Sequence, residues 1–172
     1  MLRSLLAPLV LVVLVPGCGS LECTEIGCTE SFRWLDDVPL PYSDVRTLDV
    51  RACRNDRCLE ASLDVLDPRE PATNPLAGIA LVDPAAPDAA TGASLTVTRL
   101  VDGSYRIDVV WNVADATDGD RYLVEVTDPS GAVVIGLAEQ PVEYDVSFPN
   151  GPSCPGECRS ISIAGSTIAP AL

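Results

Sequence analysis

Through most of the chain, apolar and polar residues alternate with a period of two, the pattern of strands that bury one face. Ser31 to Val38 reads as a first strand with Phe32 and Trp34 on one side, ended by Pro39 and Pro41. The next alternation fixes a hairpin. Leu48, Val50 and Ala52 share one face on the way out, and Leu59, Ala61, Leu63 and Val65 share one face on the return. Setting Cys53 opposite Cys58 brings these faces together, with Arg51 facing Glu60, Val50 facing Ala61 and Leu48 facing Leu63. This predicts a charged turn over Arg54, Asn55, Asp56 and Arg57, with the two cysteines side by side on the solvent face.

From Asp67 to Gly92 the alternation lapses into a stretch rich in Pro, Ala and Asp, in which only Gly78 to Val82 is apolar enough for a short strand. So long a connection inside one domain is uncommon. Its expected role is an edge crossing between two sheets, because the part before it is too short to bury a core of its own. Leu95 to Val113 forms the next hairpin across Val101, Asp102 and Gly103, pairing Val97 with Ile107, Leu95 with Val109 and Thr98 with Arg106. Tyr105, Ile107, Val109 and Trp111 make its inward face, and Trp111 is the expected centre of the core. Arg121 to Asp128 and Ala132 to Leu137 form a third hairpin, and Val142 to Phe148 with Arg159 to Ile163 a last pair.

No segment carries a helical period over three turns. About nine short strands joined by glycine and proline turns predict an all-β chain, an antiparallel β-sandwich over residues 31–166 with a long connection at 67–92 and a tail at 167–172. From about Leu95 onward, the strand holding Trp111, then Tyr122 to Val126, then Tyr144 to Phe148 resembles immunoglobulin-like and fibronectin type III domains. That likeness rests on alternation and implies architecture alone.

The first residues break the pattern. Arg3 precedes an apolar run from Leu5 to Val15, which has the length of a signal peptide core and is too short to span a bilayer. Val15, Pro16, Gly17 and Cys18 then resemble the bacterial lipobox, an aliphatic residue three before the cysteine and a small one just before it. The resemblance implies that residues 1–17 are removed as a signal peptide and that Cys18 carries a diacylglycerol on its thiol and an acyl chain such as palmitate on its amine. Residues 18–30 would then be the anchor and a cysteine-bearing lead-in. With Gly19 and not Asp after the cysteine, the family's sorting rule implies the outer membrane of a two-membrane envelope.

Cysteine parity offers an independent check. Seven cysteines would leave one unpaired in an exported chain. Giving Cys18 to lipid leaves six in three local groups: Cys23 with Cys28, Cys53 with Cys58, and Cys154 with Cys158. Six allow 15 connectivities. The strand register favours a bridge between Cys53 and Cys58, and proximity suggests the other two. Disulfides are expected over a structural metal, since zinc sites usually space paired cysteines by two residues and the chain has no His.

Charge narrows the partners. A formal net charge of -14 repels phosphate backbones and anionic headgroups, so nucleic acid is not an expected partner. The absence of His and Lys removes the commonest general base and both usual partners of a nucleophilic serine. No phosphate loop, cofactor motif or metal signature is present. Asp115, Asp118 and Asp120 make the densest acidic loop, where oxygen ligands for calcium are conceivable, but an Asp- and Gly-rich turn explains the same residues.

The sequence therefore points to a non-enzymatic envelope lipoprotein, tethered to the membrane through Cys18 and serving as a structural or protein-binding module, with another envelope protein as its partner. An accessory or inhibitor-like subunit of an exported enzyme complex is the alternative, and a hydrolase working through two carboxylates a third reading.

Overall fold

Alternation becomes burial along the first strand, β1 (Ser31–Val38), where Phe32, Trp34 and Val38 are fully buried. The computed structural model describes residues 29–70, 74–151 and 156–168. After β1 come a one-turn helix α1 (Tyr42–Val45), β2 (Asp49–Arg54), β3 (Arg57–Ser62), a 3-10 turn at Leu63–Val65 and β4 (Ala77–Ala80). Then follow β5 (Ala93–Arg99), β6 (Tyr105–Asn112), β7 (Arg121–Thr127), β8 (Val133–Pro141), β9 (Asp145–Ser147) and β10 (Cys158–Ala164). A six-stranded sheet in the order β4-β5-β6-β1-β10-β9 lies with a four-stranded sheet in the order β3-β2-β7-β8, and their buried side chains form one core.

Both early hairpins take the registers read from parity. Arg51 pairs with Glu60, Val50 with Ala61 and Cys53 with Cys58, while Leu63 donates its amide to Leu48 at 2.9 Å just beyond the ladder. Val97 pairs with Ile107, Leu95 with Val109 and Thr98 with Arg106, and Gly103 takes φ 89° in the turn. Asp102 closes that turn by accepting the Ser104 amide at 3.0 Å, and Asp128 does the same for Ser130 at 2.8 Å in the β7–β8 hairpin.

Several expectations are corrected. The sandwich is not wholly antiparallel: β1 and β10 run parallel, with Ser31 beside Ser160 and Trp34 beside Ile163. Periodicity reports which side chains face inward and is silent on strand direction. Here the β9–β10 hairpin sets it, since β9 runs toward the end of the sandwich where β1 begins and β10 returns alongside β1. Among the described residues there are ten strands, and the last hairpin is shorter than its alternation suggests, because Val142 leaves the strands to exchange backbone hydrogen bonds with Gly119 and Asp120.

The β2–β3 turn is also tighter than expected. Arg54 and Arg57 pair as the last rung of the ladder, leaving Asn55 and Asp56 to turn, with Asn55 at φ 51°, a left-handed conformation its side chain tolerates. Cys53 is buried, not solvent-facing, at 5% exposure. It lies on a central strand between Cys58 and Leu123, and Arg51 reaches over to within 3.4 Å of the Cys58 sulfur. Trp111 is buried too, at 3% exposure, while Trp34, Tyr122 and Phe32 are the largest fully buried side chains.

The chain crosses between sheets on both flanks. After β4 pairs with β5, Leu81 turns inward and Val82 exchanges two backbone hydrogen bonds with Glu60 of β3, at 2.8 and 2.9 Å. On the other flank, residues 166–168 leave β10 and dock on β8, where the Thr167 amide donates to the Gly136 carbonyl at 2.8 Å and the Ser166 hydroxyl accepts the Gly136 amide at 2.8 Å. Gly136 is there because nothing larger fits: a Cβ would lie 2.4 Å from the Val124 carbonyl oxygen and 3.0 Å from Ile168.

Candidate functional site

The end of the sandwich at which β1 begins gathers the β2–β3 turn, residues 113–120 and residues 142–144. Glu30 ties the start of the domain to it, accepting the Val113 amide at 2.9 Å on its carbonyl and the Ala116 amide at 3.0 Å on its carboxylate. A cleft of about 710 Å³ opens here, with Arg54, Asn55, Trp111, Asp115 and Asp120 in its walls.

Its floor is an ion-pair knot built from four segments. Arg54 ends β2, and its guanidinium donates to Asp120 Oδ2 from Nη2 at 2.7 Å and from Nε at 3.1 Å. The same guanidinium donates to the Asp115 carboxylate and to its carbonyl, each at 2.7 Å. Asp120, the one buried charged residue among the described residues, also accepts from the Asn55 side chain at 3.0 Å, the Thr117 amide at 3.1 Å and the Tyr144 hydroxyl at 3.1 Å. Tyr144, whose one hydroxyl hydrogen is engaged in the bond to Asp120, accepts from the Tyr122 hydroxyl at 2.7 Å.

The knot fixes the protonation states of its members. Burial favours the neutral acid at Asp120, but hydrogen bonds from Asn55, Thr117 and Arg54 outweigh it and hold its carboxyl below the usual carboxylate range. Burial likewise works against the charge of Arg54, and the two carboxylates overcome it. The Tyr144 hydroxyl is pushed well above the ordinary phenol value, first by burial and then by Tyr122 and Asp120. An ionised carboxylate that accepts five hydrogen bonds is a weak base, and an arginine with four of its five N–H donors on carboxylates and a carbonyl has little left for an anion. The arrangement braces the loops of this end.

The acidic loop divides among separate tasks. Asp115 and Asp120 share Arg54, whereas Asp118 turns away, accepting the Tyr144 amide at 3.0 Å and facing Arg159 at 3.5 Å. These three carboxylates therefore do not converge on one point, and among the described residues no group of three or more His, Cys, Asp or Glu could hold a metal ion. Sequence reasoning missed Arg54 and Tyr144. The available signal was the pairing of Arg54 with Arg57 at the end of a hairpin, where two like charges require a counter-charge from elsewhere.

Among the cysteines, Cys53 and Cys58 form a disulfide across β2 and β3, with Cα atoms 4.0 Å apart. Cys158, at the start of β10, is also disulfide-bonded. Cys18, Cys23, Cys28 and Cys154 lie outside the described residues. No helix among the described residues is long and apolar enough to cross a membrane. No family model, curated protein or solved structure matches the chain.

Proposed function

We propose that the chain is a bacterial envelope lipoprotein, anchored in the outer membrane by lipid on Cys18, whose β-sandwich is a non-catalytic structural or protein-binding module. The observation that carries the non-catalytic part is the engagement of Asp120: the buried carboxylate in this cleft is ionised and surrounded by donors, so it holds loops together instead of accepting a proton. The anchor rests on the run from Leu5 to Cys18 and on the odd number of cysteines.

The test is mass spectrometry of the chain recovered from membranes. A diacylglyceryl and an acyl group on an N-terminal Cys18 are expected, and Cys18→Ser releases a soluble domain with its remaining six cysteines oxidised. An unmodified Cys18 ends the anchor reading, and a free thiol in the Cys18→Ser variant ends the pairing argument. Glu30 is twelve positions after Cys18, so the lead-in reaches at most about 40 Å when fully extended.

A further inference from the structure

Two exposed apolar side chains stand at the outer edge of the larger sheet, Val146 on β9 and Phe148 just after it. Val146 is 44% exposed and Phe148 46% exposed. Register places Val146 beside Arg159 on the inner face, the face that Ile161 shares with Phe32. β9 is the last of six strands, and the opposing sheet has four, so this strip lacks the cover that Phe32 receives.

The strip lies at the end where the domain begins. Ser147 pairs with Cys158, two positions beyond the Ser31–Ser160 pair, and Phe148 opens a turn closed by the Gly151 amide at 2.8 Å. Thr29 and Glu30 line one depression together with Glu157 of the same β9–β10 connection. Thr29, the first of the described residues, therefore lies near the β9–β10 connection that Phe148 opens. Val101, on the β5–β6 turn at the opposite end, is separated from this region by the length of β6, roughly 25 Å.

We propose, resting on the lipid anchor at Cys18, that Phe148 and Val146 form a second membrane contact, the Phe148 ring entering the interfacial zone of a zwitterionic bilayer. Phenylalanine, like Trp and Leu, buries at the boundary between headgroups and acyl chains. The anchor makes the contact intramolecular, so a pair of side chains too weak to bind vesicles alone is enough once the chain is tethered. Asp145 adjoins Val146, and Arg159 on the neighbouring strand is paired with Glu157 and Asp118, so the strip offers no unpaired cation to anionic headgroups.

The experiment uses the full acylated chain in phosphatidylcholine vesicles containing lipid spin-labelled near the headgroup. Phe148→Trp is compared with Val101→Trp and with the unsubstituted chain, whose Trp34 and Trp111 are buried and supply a common background. Near-ultraviolet circular dichroism checks that each variant folds. Phe148→Trp should lose at least about a third of its added emission on binding the labelled vesicles, while Val101→Trp should lose none. Equal quenching at the two positions in an anchored chain, or shielding of Phe148→Trp only after envelope protein is added, overturns the contact and leaves the anchor standing. A chain with unmodified Cys18 that does not float with vesicles overturns both.

Discussion

The rings of Phe32 and Tyr122 lie parallel, their centroids 3.8 Å apart and their planes within 4°, one ring from each sheet. Trp111 meets the edge of Tyr122 at 6.3 Å, so a single aromatic group couples the layers. Tyr122 serves twice, because its hydroxyl also ends the chain of hydrogen bonds that begins at Arg54. Phe32→Ala should cost about 3 to 5 kcal/mol, whereas Tyr122→Phe keeps the stack and should cost about 1 kcal/mol for the lost hydrogen bond. Denaturant melts of the two variants measure both.

Arg54 and Asp120 should behave as one unit. Arg54→Met leaves the Asp120 charge buried beside neutral partners and should destabilise by about 3 to 5 kcal/mol, while adding Asp120→Leu should restore part of that loss. A double-mutant cycle in urea gives the coupling, and strict additivity would contradict the knot.

Acid should act through the same carboxylate. The carboxyl of Asp120 sits below its unfolded value, so its contribution is full above about pH 4 and fades as pH falls through the lowered folded value. Melting temperature followed downward from pH 5 should fall less steeply in Asp120→Asn than in the unsubstituted chain, although the variant starts lower.

Alkali should find a different group. Tyr105 is buried and donates to Glu70 at 2.6 Å, and burial followed by that carboxylate pushes its phenol up to about 12. A raised folded value means stability that is intact below the unfolded value near 10 and lost as pH climbs through 12. Absorbance at about 295 nm should show one tyrosine titrating near that point, and Glu70→Gln should lower it.

The Cys53–Cys58 bridge closes a short loop, worth about 2 kcal/mol on the chain-entropy model. Cys53→Ala with Cys58→Ala should lose about that much in a denaturant melt without loss of the fold, because the flanking rungs Val50–Ala61 and Val50–Val126 pair independently of the sulfurs.

Much of this architecture was legible because parity is a local code. The partners of Val50, Arg51, Leu95 and Val97 follow from alternation and turn length alone, and the strands pair them so. What alternation does not carry is anything set by a distant neighbour. Cys53 sits on the outward parity of β2 and is nonetheless buried, its sulfur bonded to Cys58 on one side and Leu123 lying on the other. Arg54 looked like part of a solvated turn until Asp115 and Asp120, more than sixty residues away, closed on it. The direction of β10 was equally invisible, since inward and outward faces are the same for a strand read either way.

That last point bears on how the domain is assembled in time. β1 is the first strand of the domain, and both its neighbours, β6 and β10, come from far along the chain, with Phe32 resting between Trp111 and Ile161. Contacts so remote in sequence are closed late, after the local hairpins have formed. A growing chain halted after β8 and before Cys158 would hold hairpins at β2–β3, β5–β6 and β7–β8 with the Phe32 strand still missing one flank. The domain is thus a structure completed by its final strand, and a protease present before that strand arrives should find β1 open to cleavage.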